Sequence, residues 1–192
     1  MAKLLYIDTE TTGLDPEKCD IIQLAGIIEI DGKEEQSFMF NIKPKDDCQW
    51  TQEAIEKHKI NKELAMNYFT SREETLSLLT KYMSRFCKQD DYYDRFFMVG
   101  YNIKFDEKFI RKFFAEMTQS EKFFNKWFWF PSIDVAQIVA LRTLEARDQF
   151  NNFKLETVCQ AMGIDFDANE AHNAMFDIIK TRELFLKVIG KE

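Results

Sequence analysis

The stretch LLYIDTETTGL, at residues 4–14, limits what this chain can fold into more than any other feature of the sequence. Its apolar start predicts a buried β-strand over residues 3–8. Asp8 and Glu10 follow where the strand should end, and residues i and i+2 of a strand point to the same face of a sheet. Two carboxylates side by side at the edge of a core repel each other unless a cation lies between them. We therefore expect the fold to bring a cation to the end of this strand.

The pattern of apolar residues along the chain predicts further strands and helices. Three strands come first, and helices and strands then alternate until a closing helix. This order is typical of the α/β class, with a mixed five-stranded sheet flanked by helices, antiparallel in its first half and parallel in its second. The predicted strands are 3–8, 21–30, 36–43, 96–100 and a strand near 129–133. The predicted helices lie within 51–88, with breaks near Asn61 and Ser71 as N-caps, at 105–117, from Asp134, at 154–162 and after His172.

Composition predicts one globular domain over residues 1–192 and argues against several classes of protein. Hydrophobic residues make up 45% of the chain, yet no stretch of about 18 apolar residues predicts a membrane span. The four cysteines are widely scattered, which favours reduced thiols in the cytoplasm over disulfides or a zinc site. The net charge of −7 argues against general binding to polyanions, but a metal site lined by carboxylates is itself acidic until it is filled.

Two more carboxylates lie near the beginnings of predicted helices. Asp106 opens the helix that follows strand 96–100, and Asp177 lies in the first turns of the last helix. Each has an ordinary explanation on its own, because Asp106 suits a helix dipole and Asp177 could be solvated. Together with Asp8 and Glu10 they favour hard cations, since the carboxylates come without a set of Cys and His ligands. Two such ions about 3.5–4 Å apart are a common arrangement for in-line attack on a phosphodiester.

His172 precedes Asp177 by five residues, and this spacing bears on where the last helix begins. On a continuous α-helix five residues rotate the side chain by about 140°, so the two groups could not face one substrate. We therefore expect the helix to begin after His172, with Asn173 as its N-cap. A histidine on such a loop could act as a general base, whereas a surface histidine without a role is the ordinary alternative.

Three segments of the chain carry these residues in short motifs. They are Asp8-Thr9-Glu10-Thr11-Thr12-Gly13-Leu14, Val99-Gly100-Tyr101-Asn102 running to Phe105-Asp106, and Ala171-His172-Asn173-Ala174 running to Asp177. In this order they resemble the DEDDh group of 3′–5′ exonucleases, the DnaQ-like family, and the resemblance covers nearly the whole chain. It implies a ribonuclease-H-like fold, two divalent cations (Mg²⁺ or Mn²⁺) and His172 as the catalytic base. The metal ligands that it implies are Asp8, Glu10, Asp106 and Asp177.

The same resemblance implies residues that bind the 3′-terminal nucleotide of a substrate. In relatives this nucleotide is surrounded by the loop after the first motif and by a segment that QEAIEKHKI, at 52–60, resembles. For His58 a place on an ordinary helix face is the alternative. Tyr101 departs from the pattern, because relatives commonly have histidine there; it is not a metal ligand, but local packing and substrate contacts could differ. The implied substrate-binding residues are Thr11, Leu14, Glu53, Ala54, His58 and Phe105.

Two other groups of residues could contact a substrate. Lys104, Lys108 and Arg111 share one face of the helix at 105–117, which is either a solvated face or a support for a phosphate backbone. The aromatic residues of segment 123–130 are too dense to be buried on one face. Some of these rings belong to the core, and the others could stack on bases or meet a partner.

These features favour a metal-dependent 3′–5′ exonuclease that releases nucleoside monophosphates from single-stranded or frayed ends. DNA is the favoured substrate, because the first motif and segment 52–60 look most like the proofreading exonuclease subunits of bacterial DNA polymerase III. An RNA-trimming exonuclease is the main alternative, and a non-catalytic nucleic-acid-binding module is less favoured. A polymerase or another replication or repair protein could be a partner. Because no tail follows the last helix, we expect a stand-alone enzyme or one that uses a surface patch.

Overall fold

A mixed five-stranded sheet forms the centre of the molecule in the computed structural model, which describes residues 2–88 and 90–191. The strand order is β3-β2-β1-β4-β5. The first three strands are antiparallel neighbours, and β4 and β5 run parallel to β1. The predicted α/β class and mixed sheet are confirmed. The strands are β1 (Lys3–Thr11), β2 (Ile21–Ile30), β3 (Lys33–Asn41), β4 (Phe97–Gly100) and β5 (Ile133–Asp134).

Seven α-helices connect and cover these strands within the described residues. Three of them begin at the predicted N-caps, Asn61, Ser71 and Asn173, whose side chains accept hydrogen bonds from backbone N–H groups of the first turn. Two short 3₁₀ segments, Phe124–Lys126 and Leu144–Gln149, join the later elements. The helices are α1 (Gln52–His58), α2 (Lys62–Tyr68), α3 (Arg72–Met83), α4 (Lys104–Thr118), α5 (Val135–Arg142), α6 (Leu155–Ala161) and α7 (Ala174–Val188).

The alternation of side chains along β1 divides the interior into two cores, one on each face of the sheet. Leu5 and Ile7 point into a core that α3 and α4 cover. Tyr6 points into the other core, which α5, α6 and α7 cover. All three side chains are almost fully buried, and burial of an apolar side chain such as Leu5 or Ile7 stabilises a fold by about 1.5–3 kcal/mol. Because Asp8 and Glu10 continue the row that Tyr6 begins, they lie on the face that α7 covers.

The strand expected near 129–133 is shorter than predicted. Phe128 makes an isolated parallel bridge with Phe96, and regular pairing resumes only at β5. Pro131 lies between the two and has no N–H to donate to a ladder, which explains the interruption. Within segment 123–130, Phe124, Trp127 and Phe128 are buried and Phe130 is 73% exposed.

No helix among the residues described is both long enough and apolar enough to cross a bilayer. The four cysteines, Cys19, Cys48, Cys87 and Cys159, are buried free thiols.

Candidate active site

One cavity of about 350 Å³ opens at the end of β1 where Thr11 lies. Strand β1 delivers Asp8 and Glu10 to it from the α7 side of the sheet. Every site residue predicted from the sequence lines this cavity, although the residues come from four separate segments of the chain. They are Asp8, Glu10, Thr11, Leu14, Glu53, Ala54, His58, Phe105, Asp106, His172 and Asp177.

Helix α4 brings Asp106 to the cavity from the opposite face of the sheet. The side chain is buried, and its Oδ1 accepts hydrogen bonds from the backbone N–H of Thr9 at 2.9 Å and from the Thr9 hydroxyl at 2.7 Å. The chain passes very close to β1 just before this helix, since a Cβ on Gly100 would lie 2.9 Å from the carbonyl oxygen of Ile7. Glycine is therefore required at position 100. The two hydrogen bonds from Thr9 fix the position of Asp106 relative to Asp8 and Glu10.

Helix α7 supplies Asp177, and the loop before it supplies His172. The helix begins after His172, as predicted, because Asn173 caps it. His172 has a φ of 66°, in the left-handed region that few residues other than glycine adopt. Its backbone N–H donates to Oδ2 of Asp177 at 3.3 Å. Glu10, His172 and Asp177 each have one potential ligand atom, and these three atoms lie within 4.8 Å of one another. The loop histidine and the two carboxylates therefore converge on the same part of the cavity.

Four of the carboxyl groups that line this cavity have raised pKa values. Burial, followed by the neighbouring carboxylates of Asp177 and Asp106, raises the pKa of Glu10 to about 8. Burial raises the pKa of Asp177 to about 6, against the hydrogen bond from His172. The pKa values of Asp8 and Asp106 are also raised, in both cases chiefly by burial. Four acids that resist ionisation together need positive charge to be ionised at neutral pH.

The donor set fits divalent cations. Carboxylate oxygens are the ligands that Mg²⁺ and Mn²⁺ prefer, and the mutual repulsion of these acids is what a cation would relieve. Oδ1 of Asp177 is buried and makes no hydrogen bond within the described structure, which leaves it free to be a ligand. The residues that would hold cations are Asp8, Glu10, Asp106 and Asp177.

His172 is suited to accept a proton. Its pKa is lowered, first by desolvation and then by the positive charges of Lys57 and Lys154. The usual pKa of histidine is about 6.5, so the imidazole is neutral at pH 7 and has a nitrogen lone pair available.

The residues expected to bind the terminal nucleotide form the other walls of the cavity. The loop after the first motif is braced by a hydrogen bond of 2.8 Å from the Thr11 hydroxyl to the Gly13 carbonyl, and Leu14 beside it is 67% exposed. Helix α1 contributes Glu53, Ala54 and His58 from the far side. An exposed apolar side chain facing a polar wall is a suitable arrangement for a nucleotide, which has an apolar base face and a polar sugar.

The sequence reasoning missed Lys57, the one lysine or arginine among the residues that line the cavity. Its ammonium group lies 2.7 Å from Oε1 of Glu53, an exposed pair on α1. The signal was available in hindsight, because Lys57 lies one residue before His58 in the segment that the family resemblance singled out. Thr9 was also missed, although it lies between Asp8 and Glu10.

Two of the three basic residues that the sequence places on one face of α4 form ion pairs within the protein. Nζ of Lys104 and the guanidinium of Arg111 both contact the buried carboxylate of Glu107, at 2.9 Å and 2.8 Å.

Tyr101, the departure from the family pattern, donates its hydroxyl hydrogen to the carbonyl of Phe153 at 2.7 Å. It therefore ties the end of β4 to the loop before α6.

The sequence matches a known protein family and several named proteins. A family model described as RNase_T, exonuclease, matches residues 5–185. The chain is 27% identical over 192 residues to Ribonuclease T of Hahella chejuensis, covering 97% of this chain and 83% of the relative. It is 28% identical over 191 residues to Ribonuclease T of Haemophilus influenzae, covering 97% and 79%.

Solved structures of E. coli Exonuclease I share the fold. A complex with a 5cy-dT13 oligonucleotide gives a TM-score of 0.77 at 20% identity, covering 100% of this chain. A zinc-bound form of the complex with single-stranded DNA gives a TM-score of 0.76 at 20% identity, also covering 100% of this chain. In both cases the match spans only 41% of the Exonuclease I chain.

Proposed function

The chain belongs to the RNase_T exonuclease family, and from this premise we propose that it removes nucleotides from the 3′ end of single-stranded nucleic acid with the help of two divalent cations, Mg²⁺ or Mn²⁺. The observation that carries the proposal is the convergence of four carboxylates and a loop histidine on one cavity. In this proposal residues 1–192 act as a single exonuclease domain.

The four acids and His172 have distinct roles in the proposed reaction. Asp8, Glu10, Asp106 and Asp177 hold the cations, which, when bound, supply positive charge that stabilises the phosphodiester as it is attacked. His172 accepts a proton from the attacking water at an imidazole nitrogen, as a general base. The hydrogen bond from its backbone to Asp177 keeps base and carboxylate together.

The remaining walls position the 3′-terminal nucleotide. We assign Thr11, Leu14, Glu53, Ala54, His58 and Phe105 to this role, because they surround the carboxylates on the open sides of the cavity. A volume of about 350 Å³ lies within the range of small-ligand sites. Lys57 adds a positive charge near the phosphate, where it would exchange its contact with Glu53 for one with the substrate.

RNA is the substrate that we favour among single-stranded ends. The supporting observation is that relatives covering 97% of the chain carry the name Ribonuclease T. DNA is the second candidate, and it rests on the likeness of the first motif and of segment 52–60 to proofreading subunits. The two sugars differ only by the 2′-hydroxyl, which is a matter of a few contacts at the terminal ribose.

The cytoplasm is the compartment that we propose for this enzyme. Four buried free thiols are compatible with a reducing compartment. A replication or repair protein as partner stays a prediction from the sequence.

A cleavage assay on matched single-stranded RNA and DNA tests the proposal. Both strands carry a 5′ label, and each is incubated with Mg²⁺ or Mn²⁺, or with EDTA. Asp177→Ala is the test variant, and Glu183→Gln on the same helix, which pairs with Lys180 and is exposed, is the matched control.

The expected result is a ladder that shortens from the 3′ end, is abolished by EDTA and by Asp177→Ala, and persists in Glu183→Gln. Faster degradation of RNA than of DNA would support the favoured substrate, and the reverse would make DNA the substrate. A folded protein that cleaves neither strand would overturn the proposed activity.

A further inference from the structure

Gln23 occupies the centre of a row of polar side chains that crosses the sheet beside the cavity. In the antiparallel register it lies directly opposite Glu10 on β1 and directly opposite Asn41 on β3. Directly opposed residues of antiparallel strands point to the same face, so Glu10, Gln23 and Asn41 all lie on the face that α7 covers. Nε2 of Gln23 donates to Oδ1 of Asn41 at 3.0 Å, which directs the other end of the amide, Oε1, away from β3.

Oε1 of Gln23 accepts the backbone N–H of Ala174 at 3.2 Å, across 151 residues of sequence. This contact meets a specific need of α7, because the first N–H groups of a helix have no acceptor within the helix. The side chain of Asn173 satisfies those of Met175 and Phe176. The N–H of the buried first residue, Ala174, is thus left to Gln23.

The contact joins the two halves of the active site. On one side of it, Gln23 is paired with Glu10 through the strand ladder. On the other side, Ala174 is two residues from His172 and three from Asp177, at the point where the loop turns into the helix. His172 has a left-handed backbone conformation, and such a conformation persists only when the surrounding structure holds it.

We propose that Gln23 is a positioning residue for the exonuclease reaction, which fixes the loop that carries His172, and the first turn of α7, against the strand that carries Glu10. The inference rests on the proposed function, since it concerns the placement of the proposed base. Gln23 does not touch the reacting atoms. Its effect passes through the Ala174 N–H, and removing it lets the histidine and Asp177 drift from Glu10.

The test uses three variants of the full chain. Gln23→Leu keeps the size of the side chain and removes both hydrogen bonds, and Gln23→Asn keeps an amide but is one methylene too short to reach Ala174. Gln36→Leu is the matched control, because Gln36 is a half-buried glutamine on β3 whose Oε1 accepts from Arg85 rather than from α7. Thermal unfolding of each variant establishes that it is folded.

Two readouts are taken. The first is hydrogen exchange of the Ala174 amide, measured by NMR on the metal-free protein, which reports the contact itself without any activity. The second is steady-state kinetics on the labelled oligonucleotide, with kcat and KM determined separately. We expect faster exchange at Ala174 and a kcat lower by about 10–100-fold in both Gln23 variants, with KM little changed, and wild-type behaviour in Gln36→Leu.

Three results would overturn the inference. Unchanged exchange at Ala174 would show that Gln23 does not hold the helix start, whatever happens to kcat. Faster exchange with an unchanged kcat would show that the contact is structural only. A loss of kcat equal to that of Gln36→Leu would show that any change in the sheet has the same effect. A wild-type protein that cleaves no strand would instead overturn the proposed function, and the positioning role with it.

Discussion

At the scale of single residues, the site is a set of acids placed where their ionisation is unfavourable. Burial raises the pKa of each of the four carboxyl groups, and the neighbouring carboxylates raise the pKa values of Asp8 and Glu10 further. Such perturbed groups cluster at functional sites, and in the proposed function a divalent cation would offset the cost of ionising them.

Replacing His172 by Ala should lower kcat by about 10²–10⁴-fold, which is the usual contribution of a general base. Binding of Mn²⁺ should be nearly unchanged, because the four carboxylates remain. Glu183→Gln is the control, since it changes an exposed residue of α7 that lies outside the cavity. A collapse of Mn²⁺ affinity in His172→Ala, measured by calorimetry, would show that His172 is a metal ligand and not the base.

Replacing Thr9 by Val should lower kcat, because Asp106 is then less firmly positioned. The change keeps the side-chain shape but removes the hydroxyl that donates to Oδ1 of Asp106 at 2.7 Å. We expect kcat to fall by about 10-fold or more, as for other groups that orient a ligand. Thr9→Ser keeps the hydroxyl and should stay close to wild type, and equal rates for the Val and Ser variants would contradict this role.

Sequence reasoning predicted residues that all line the cavity, and it missed residues that contact or support them. The acids, His172 and the residues expected to bind a nucleotide were predictable because they lie in short motifs of recognisable residue type and spacing. The missed residues are Thr9, Gln23 and Lys57. Each contacts a partner that is distant in sequence or on the next helix turn; Thr9 and Asp106, for example, are 97 residues apart. No periodicity along the chain reports such a pairing.

At the scale of elements, the site depends on where helices begin. Asp106 and Asp177 both lie in the first turn of a helix, on α4 and α7. Helix starts were predictable at Asn61, Ser71 and Asn173, because a capping side chain is a local signal. The end of the sheet was less predictable: the apolar run at 129–133 resembles a strand, but Pro131 prevents continuous pairing and β5 has only two residues.

Removing the cap of α7 should affect both stability and activity. Asn173→Ala removes the acceptor of the Met175 and Phe176 N–H groups and should cost about 1 kcal/mol of the free energy of unfolding. Asn61→Ala on α2 is a matched control, since it removes the same kind of cap from a helix outside the cavity. We expect similar losses of stability in chemical denaturation, but a loss of kcat only in Asn173→Ala. Equal kcat values for the two variants would contradict a catalytic dependence on the start of α7.

At the scale of the whole molecule, a net charge of −7 and a cavity lined by acids make stability depend on pH and on cations. A carboxyl with a raised pKa keeps its proton in the native state at a pH where the unfolded chain has lost it. The native state then binds more protons than the unfolded state, so stability falls as pH rises. For Glu10 this window extends from its ordinary pKa of 4.5 to about 8.

The metal-free protein should therefore unfold at a lower temperature at pH 8 than at pH 6.5. The two histidines have lowered pKa values and act in the opposite direction, but only below about pH 6.5, where an unfolded histidine gains a proton. We expect the midpoint to fall by about 2–4 °C, which corresponds to about 1 kcal/mol in a chain of this size. Adding Mn²⁺ at pH 8 should reverse the fall, and Glu10→Gln should flatten the pH dependence. A midpoint in EDTA that rises from pH 6.5 to pH 8 would contradict the raised pKa values.

In the proposed function, acids from three distant segments of the chain together form a single site that holds the divalent cations. Titration of Mn²⁺ into the wild-type protein, Asp177→Asn and Glu183→Gln, followed calorimetrically at pH 7.5, tests it most directly. We predict that the wild type and Glu183→Gln bind Mn²⁺, and that Asp177→Asn binds it at least about 10-fold more weakly. Equal Mn²⁺ affinity in all three proteins, or no binding by the wild type, would contradict it.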